Sequence, residues 1–319
     1  MRILVTGGTG FLGRHVVRTL LEHGHSVLVP SRSPGPGGGL NVVANSIDLK
    51  SQMSTRLAFQ ISKPDVVVHL AAEVGGIGAN RANPGRYCYA NLAMGLNVVE
   101  ESRIYDVKKF VMVGTVCSYP CDTPAPFKEG DLWNGFPEIT NAPYGIAKRA
   151  IMELLRAYSL QYGLASTVLI PTNLYGPGDN FDPETSHVIP AMVRKMAGLP
   201  KEVRLWGTGR ATREFLYVTD AARAVVMACE EDLPQGGPLH RTMNLGSGEE
   251  IRMSALARKV AWACGYDELP RMAWDCTMPD GQPRRLVDSS RAKADLGWEP
   301  QVRLDEGLAK TVEYFRSKA

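Results

Sequence analysis

A doubly wound α/β fold, with helices packed around a parallel sheet and a smaller lobe attached, is what this sequence predicts. Three observations carry that expectation. Short apolar runs suited to strands buried on both faces alternate with helical stretches through the first half of the chain. A glycine-rich turn joins the first run to the first helix. Beyond about residue 172 the alternation loosens into sequence rich in Gly and Pro, as expected of a second lobe. Strand–helix alternation of this kind implies right-handed crossovers between parallel strands.

In order, Ile3–Thr6, Ser26–Val29, Val66–Leu70, Phe110–Val113 and Thr167–Ile170 read as strands. Each is dominated by β-branched or large apolar residues. Helices are expected near Phe11–His23, Asn91–Ile104 and Tyr144–Tyr162, and Ser33–Gly39 reads as a Pro/Gly loop after the second strand. Arg213–Cys229 reads as a helix-bearing return to the core. The expected division is therefore 1–172 with 213–246 as a dinucleotide-binding domain, and 173–212 with 247–319 as a substrate lobe.

Bulk properties exclude several classes. At 319 residues the chain has room for both lobes. A hydrophobic content of 44% with 22% charged residues is that of an ordinary globular protein. The formal net charge of +3 suits anionic small molecules and is too small and scattered for a nucleic-acid partner. No apolar run approaches the roughly 18 residues needed to span a bilayer, and a strand starting at Arg2 leaves no room for a signal peptide. The six cysteines are dispersed, which points to reduced thiols and a cytoplasmic protein. Cys117 and Cys121 are too far apart for a Cys-x-x-Cys pair, so no metal site is expected.

Gly7-Gly-Thr-Gly-Phe-Leu-Gly13 follows a strand and opens a helix. Gly7 permits the tight turn, Gly10 lets backbone N–H groups approach a pyrophosphate, and Gly13 permits close helix packing. The end of the second strand selects the dinucleotide. An NAD site wants a carboxylate there for the ribose 2′-hydroxyl, whereas this chain offers Pro30-Ser31-Arg32-Ser33. Arg32 suits a 2′-phosphate, so NADP is favoured over NAD. The alternative is a solvated loop arginine.

Tyr144 and Lys148, four apart near a helix start, lie on one helix face. An ammonium beneath the phenol is expected to favour the phenolate, by about 4 kcal/mol at an effective dielectric near 20. Thr115 lies at the carboxyl end of a strand, where open α/β sheets bind ligands, and can bond a substrate carbonyl oxygen. The glycine turn, His69-Leu-Ala-Ala72, Thr115 and the Tyr144/Lys148 pair occur in the order found in extended short-chain dehydrogenase/reductases, which the chain resembles along its whole length. That resemblance implies a Rossmann-like core, with Tyr144 as proton donor or acceptor, Lys148 on the nicotinamide ribose and Thr115 polarising the carbonyl. It also implies cofactor contacts at Phe11, Leu12, Asp48, Leu49, Ala71, Ala72, Pro171, Asn173, Leu174 and His187.

Cys117 follows Thr115 by two residues, so in an extended strand both side chains point the same way. Alone, Cys117 reads as buried packing and His187 as a surface or capping histidine. Further segments change that reading. They are Val74-Gly-Gly-Ile77 with Ala79-Asn80, Pro171-Thr-Asn-Leu-Tyr-Gly-Pro177, Asp179-Asn-Phe181 with Ser186-His-Val-Ile-Pro190, Trp206-Gly-x-Gly with Arg213-Glu-Phe-Leu216, and Pro279-Asp-Gly281 with Pro283-Arg284. Together they resemble the GDP-L-fucose synthase family, NADPH-dependent 3,5-epimerase/4-reductases of a GDP-4-keto-6-deoxy sugar. The resemblance implies that Cys117 and His187 exchange protons at the carbons flanking the ketone. It implies substrate contacts at Asn173, Lys195, Trp206, Arg213 and Asp280, and a homodimer packed through helices like Asn91–Ile104 and Tyr144–Tyr162. Trp206 reads otherwise as a core tryptophan, and Asp280 with Arg284 as a lobe-closing ion pair.

The chain departs from the family pattern at Gly114-Thr-Val-Cys117, Ser118, Lys195 and Met278, which leaves the sugar open. A narrower 4-reductase or 4-epimerase, with Cys117 and His187 only packing, is the competing reading. A non-catalytic NADP sensor is disfavoured by the presence of Thr115, Tyr144 and Lys148.

Overall fold

In the computed structural model, residues 1–32, 43–44, 46–75, 77–232, 238–278 and 280–318 are described, without the side chains of 43, 44, 77 and 79. The expected loop at Ser33–Gly39 and the motif positions Gly76 and Pro279 lie outside them, as do the side chains of Ile77 and Ala79. The first half runs β1 (Arg2–Thr6), α1 (Phe11–Glu22), β2 (Ser26–Pro30), β3 (Val43–Ala44), α2 (Gln52–Ser62), β4 (Val66–His69), α3 (Ile77–Ala82) and α4 (Pro84–Ile104). It continues with β5 (Lys109–Val113), α5 (Ala142–Tyr162), β6 (Ala165–Pro171) and β7 (Asn173–Tyr175). Next come α6 (Val188–Met196), β8 (Glu202–Trp206), β9 (Thr212–Tyr217), α7 (Val218–Glu230) and β10 (His240–Leu245). The remainder is β11 (Glu250–Arg252), α8 (Met253–Ala263), β12 (Arg271–Asp275), α9 (Ser290–Leu296) and α10 (Leu304–Lys318).

The main sheet has the order β10-β6-β5-β4-β1-β2-β3, and every pairing in it is parallel. All five expected strands are in it. β4 ends at His69, one residue short of the expected Leu70, while β6 begins two residues earlier and runs one residue further than expected. The order reverses direction around β1, and register aligns Thr6 with His69 and His69 with Met112. The carboxyl ends of β1, β4 and β5 thus open on one side of the sheet, the place where doubly wound folds bind ligands.

Two apolar layers sandwich the sheet. On one side Val16, Val17 and Leu20 of α1 pack with Ala221 and Val225 of α7. On the other, Phe59, Val98, Ile151 and Leu155 bring α2, α4 and α5 together. Helix α4 begins at Pro84, seven residues before the expected start, because proline suits a first helical turn. A third core joins α6, α8 and α10 through Met192, Val193, Leu256, Val260, Leu308 and Val312. Strand β9 pairs with β7 and β11 in a separate small sheet. Its alternation sends Leu216 into the large core and Phe215 and Tyr217 into the third.

Candidate active site

The turn between β1 and α1 is built by backbone proximity. Gly7 has φ of 72°, and a Cβ there would stand 2.7 Å from the amide nitrogen of Ala71. A Cβ on Gly13 would stand 2.1 Å from the carbonyl oxygen of Gly7, so α1 sits directly on the turn. Gly10, the N-cap, donates its N–H to that same oxygen at 3.0 Å. Among the described residues no side chain caps α1, and its first turn holds no acidic residue. A helix start with these properties accepts an anion such as a pyrophosphate, so the residues present fit a dinucleotide. Phe11 opens the helix, half-buried, with its ring edge on His15, and Leu12 packs against the core behind it.

At the end of β2, Arg32 is 63% exposed and lies 3.6 Å from Glu73. A second cation, Lys50, lies 3.9 Å from the same carboxylate, and Arg86 bonds it at 2.8 Å. Glu73 and Lys50 are additions that no sequence motif signalled. Asp48 accepts from the N–H of Lys50 at 3.1 Å, and Leu49 is buried beside it. Ala71 and Ala72 follow β4, half-exposed over the glycine turn.

The catalytic candidates gather at the end of β5. That strand stops at Val113, and Thr115 caps a single 3-10 turn, Val116–Ser118, by accepting the Cys117 N–H at 3.2 Å. The expected extended geometry is therefore corrected: Thr115 and Cys117 share the site through a turn, not through strand parity. Tyr144, in the first turn of α5, is hydrogen-bonded to the Thr115 hydroxyl and feels the charge of Cys117.

Lys148 lies one turn further and donates to the Val113 carbonyl at 3.1 Å. Burial lowers its pKa to about 8. Burial also raises that of Tyr144, the Cys117 charge adds to the rise, and the Thr115 bond opposes it only in part. The expected phenolate is thus corrected. The ammonium donates to a backbone carbonyl, and desolvation with the Cys117 charge outweighs the Thr115 hydrogen bond. Tyr144 keeps its proton at neutral pH. Behind it, the buried His69 bonds the Thr6 hydroxyl at 2.8 Å, and burial pushes its pKa down to about 3, with Lys148 contributing.

His187 is the N-cap of α6 and lies exposed, while desolvation by nearby protein holds its pKa below the ordinary value. Among the described residues no hydrogen bond links its ring to Cys117, Tyr144 or Thr115. Its loop is tied by Asp182, which accepts from the N–H groups of Glu184 and Thr185. The structure thus joins Tyr144, Thr115, Cys117 and Lys148, and leaves His187 exposed at the start of α6.

Asn173 donates to the Glu214 carbonyl at 2.8 Å, where β7 leaves Pro171, and Leu174 packs on the large core. Lys195, Arg204 and Trp206 line a surface cleft, with Lys195 donating to the Arg204 carbonyl at 2.8 Å. Trp206 is 57% exposed, which corrects the core-tryptophan alternative. In β8, Val203 and Leu205 face inward, so position 206 must face out. Arg213 is half-buried, desolvation lowers its pKa to about 10, and it donates to the Asp280 carbonyl at 2.6 Å.

The suggested Asp280–Arg284 pair is not formed. Arg284 binds Glu250 at 2.7 Å, and Asp280 instead accepts from the Thr208 N–H and hydroxyl, closing the turn after Trp206. The neighbouring arginine, Arg285, is the one beside the active site, with Nη1 donating to Cys117 Sγ at 3.8 Å. The sequence reading passed over it.

The chain is similar to known proteins along nearly its whole length. The NAD dependent epimerase/dehydratase family matches residues 3–246. GDP-L-fucose synthase 1 of Arabidopsis thaliana is 39% identical over 318 residues, 98% of this chain and 93% of that protein. UDP-glucose 4-epimerase of Thermotoga maritima, solved with UDP-glucose, superposes with a TM-score of 0.88 at 32% identity, covering 100% of this chain and 99% of that one. A GDP-mannoheptose C4 reductase of Campylobacter jejuni with NADP bound gives 0.81 at 26% identity, covering 98% of each.

Proposed function

The chain belongs to the NAD dependent epimerase/dehydratase family, and we propose that it performs NADPH-dependent 3,5-epimerisation and 4-reduction of a GDP-4-keto-6-deoxyhexose, as in GDP-L-fucose synthesis. The observation that carries the proposal is the meeting of Tyr144, Thr115 and Cys117 at the carboxyl end of β5. Similarity to a GDP-L-fucose synthase along nearly the whole chain supports the choice of sugar nucleotide.

In this reading Gly7, Gly10, Phe11, Leu12 and Gly13 hold the pyrophosphate of NADPH, and Arg32 its 2′-phosphate. Asp48, Leu49, Ala71 and Ala72 take the adenosine, while Lys148, Pro171, Asn173, Leu174 and His187 surround the nicotinamide end. Lys195, Trp206, Arg213 and Asp280 face the nucleotide of the substrate, with Arg213 and Lys195 toward its diphosphate. NADPH, when bound, supplies the hydride delivered to C4.

The chain's own groups handle the protons. A 4-keto group acidifies the C–H bonds at C3 and C5, and inversion needs a base on one face of the ring and an acid on the other. Cys117 and His187 are the pair proposed for these exchanges. Tyr144 and Thr115 hydrogen-bond the ketone oxygen as negative charge develops on it. Because burial keeps Tyr144 protonated, it is poised to donate to the C4 oxygen during reduction, and solvent then restores its proton.

A second reading rests on the exposed position of His187. It is a 4-reductase acting without the double inversion. Incubation with NADPH and GDP-4-keto-6-deoxy-D-mannose in deuterium oxide separates the two. The proposal expects GDP-L-fucose labelled at C3 and C5, and an unlabelled 4-reduced product supports the narrower enzyme.

We further propose a cytoplasmic homodimer. The exposed Tyr89 and Leu96 of α4 and Leu160 and Tyr162 of α5 support burial against a second copy. Six free thiols suit a reducing compartment.

A further inference from the structure

We propose that Arg285 is a positioning residue. Its guanidinium, clamped by Gln282, fixes the Cys117 sulfur as an acceptor and leaves the proton-exchanging side of that sulfur facing Tyr144 and the sugar. The inference rests on the reading of Cys117 as a proton-transfer group.

Arg285 lies beyond the stretch matched by the family, 168 residues from Cys117, yet its Nη1 donates to Sγ at 3.8 Å. It is 9% exposed. Its Nε donates to Gln282 Oε1 at 2.7 Å. The Gln282 amide in turn donates to the carbonyls of Pro120 at 3.3 Å and Cys121 at 3.1 Å, on the segment leaving the Cys117 turn. The result is a closed ring of contacts, from Cys117 through its own following residues to Gln282, Arg285 and back to the sulfur.

A guanidinium donates and never accepts. The sulfur must therefore present a lone pair to Arg285, and its S–H, or the lone pair that receives a substrate proton, is left for another direction. Tyr144 and Arg213 both lie near enough to feel the charge of Cys117. Gln282 prevents the guanidinium from rotating away, so one lone pair of the half-buried Cys117 sulfur stays engaged. An arginine serving only to brace the lobe would be satisfied by carbonyls and carboxylates, as Arg284 is by Glu250.

The test is iodoacetamide alkylation of Cys117, followed on its own peptide by mass spectrometry in wild type, Arg285→Met and Arg285→Lys. NADPH affinity and thermal unfolding are measured alongside. Removing a charge-assisted contact to sulfur should slow alkylation about tenfold in Arg285→Met, with Arg285→Lys staying within about threefold of wild type. The kcat of epimerisation should fall in the same order, with NADPH affinity within about twofold. If Arg285→Met unfolds early, Gln282→Leu carries the test, because it frees the guanidinium without removing its charge. Alkylation about threefold slower is then expected. A folded Arg285→Met, or failing that Gln282→Leu, alkylated as fast as wild type overturns the proposal, as does Arg285→Lys as slow as Arg285→Met. Alkylation needs no sugar, so a wild type inert toward the 4-keto sugar counts against the assigned reaction and not against this clamp.

Discussion

Gly13→Ala perturbs the close contact through which the glycine turn is proposed to hold the cofactor. The added methyl would lie 2.1 Å from the Gly7 carbonyl oxygen and 2.7 Å from Gly8 Cα, both backbone atoms that cannot rotate aside. Real Cβ contacts essentially never fall below 3.0 Å, so α1 must retreat by about 0.9 Å. Overpacking of this kind costs about 1–3 kcal/mol. Alanine's better helix propensity returns about 1 kcal/mol, which leaves a net loss of only ~0–2 kcal/mol in stability. A displacement near 1 Å in a positioned site costs about 100-fold in rate, and the pyrophosphate contacts at the same turn should lose a comparable factor. Fluorescence titration should therefore show NADPH affinity lower by about 30- to 100-fold, in a protein whose thermal unfolding shifts by only a few degrees. Gly85→Ala in α4, where a Cβ meets nothing within 4 Å, is the matched control and should bind normally. NADPH affinity within threefold of wild type in Gly13→Ala would refute the argument.

Arg32→Ala should weaken NADPH by about 10- to 100-fold and NADH much less, because only NADPH carries the 2′-phosphate; equal losses contradict that contact. Cys117→Ser and His187→Asn should each reduce kcat of epimerisation by about 100-fold or more while NADPH affinity holds, as read by deuterium incorporation; a fully active double variant removes both assignments. Reduction should hold up to about pH 8 and decline above it as Lys148, lowered to about 8 by burial, loses its charge; a profile flat to pH 10 speaks against a role for the ammonium. Asp179 is buried with Oδ2 unpartnered among the described residues, and burial pushes its pKa up to about 7. Since its folded value lies above the unfolded one, its contribution to stability is full below the unfolded carboxylate value and is lost as pH rises through about 7. Asp179→Asn should flatten that slope and be more stable than wild type at pH 8 by ~1–3 kcal/mol, so a less stable variant in denaturant titration goes against the explanation.

The nucleotide-binding half was legible because its signals are local. An apolar strand, three spaced glycines and an amphipathic helix occupy 21 consecutive residues, from Arg2 to Glu22. The second lobe was harder to read because its strands are short and half-exposed. In β12 four of five residues are only partly buried. The edge strand β10 reads His-Arg-Thr-Met-Asn-Leu and becomes a strand by pairing along β6, not by its own composition.

Side-chain directions failed where tertiary contacts decide them. Thr115-Val-Cys117 favours a strand by residue type, yet the Thr115 hydroxyl captures the Cys117 N–H and turns the chain. Trp206 could have been placed correctly, since the alternation of Val203 and Leu205 fixes its face. Arg285 could not have been found that way: adjacent arginines differ only in which lobe they meet, and that contact spans 168 residues.

One thiol and one imidazole are proposed to act on opposite faces of a single sugar ring, and a crystal structure with NADP+ and GDP-L-fucose measures this directly. Cys117 Sγ and a His187 ring nitrogen should each lie within about 4 Å of C3 or C5, from opposite sides, with Tyr144 Oη bonded to the C4 oxygen. A bound sugar with His187 still turned to solvent at the start of α6 would contradict it.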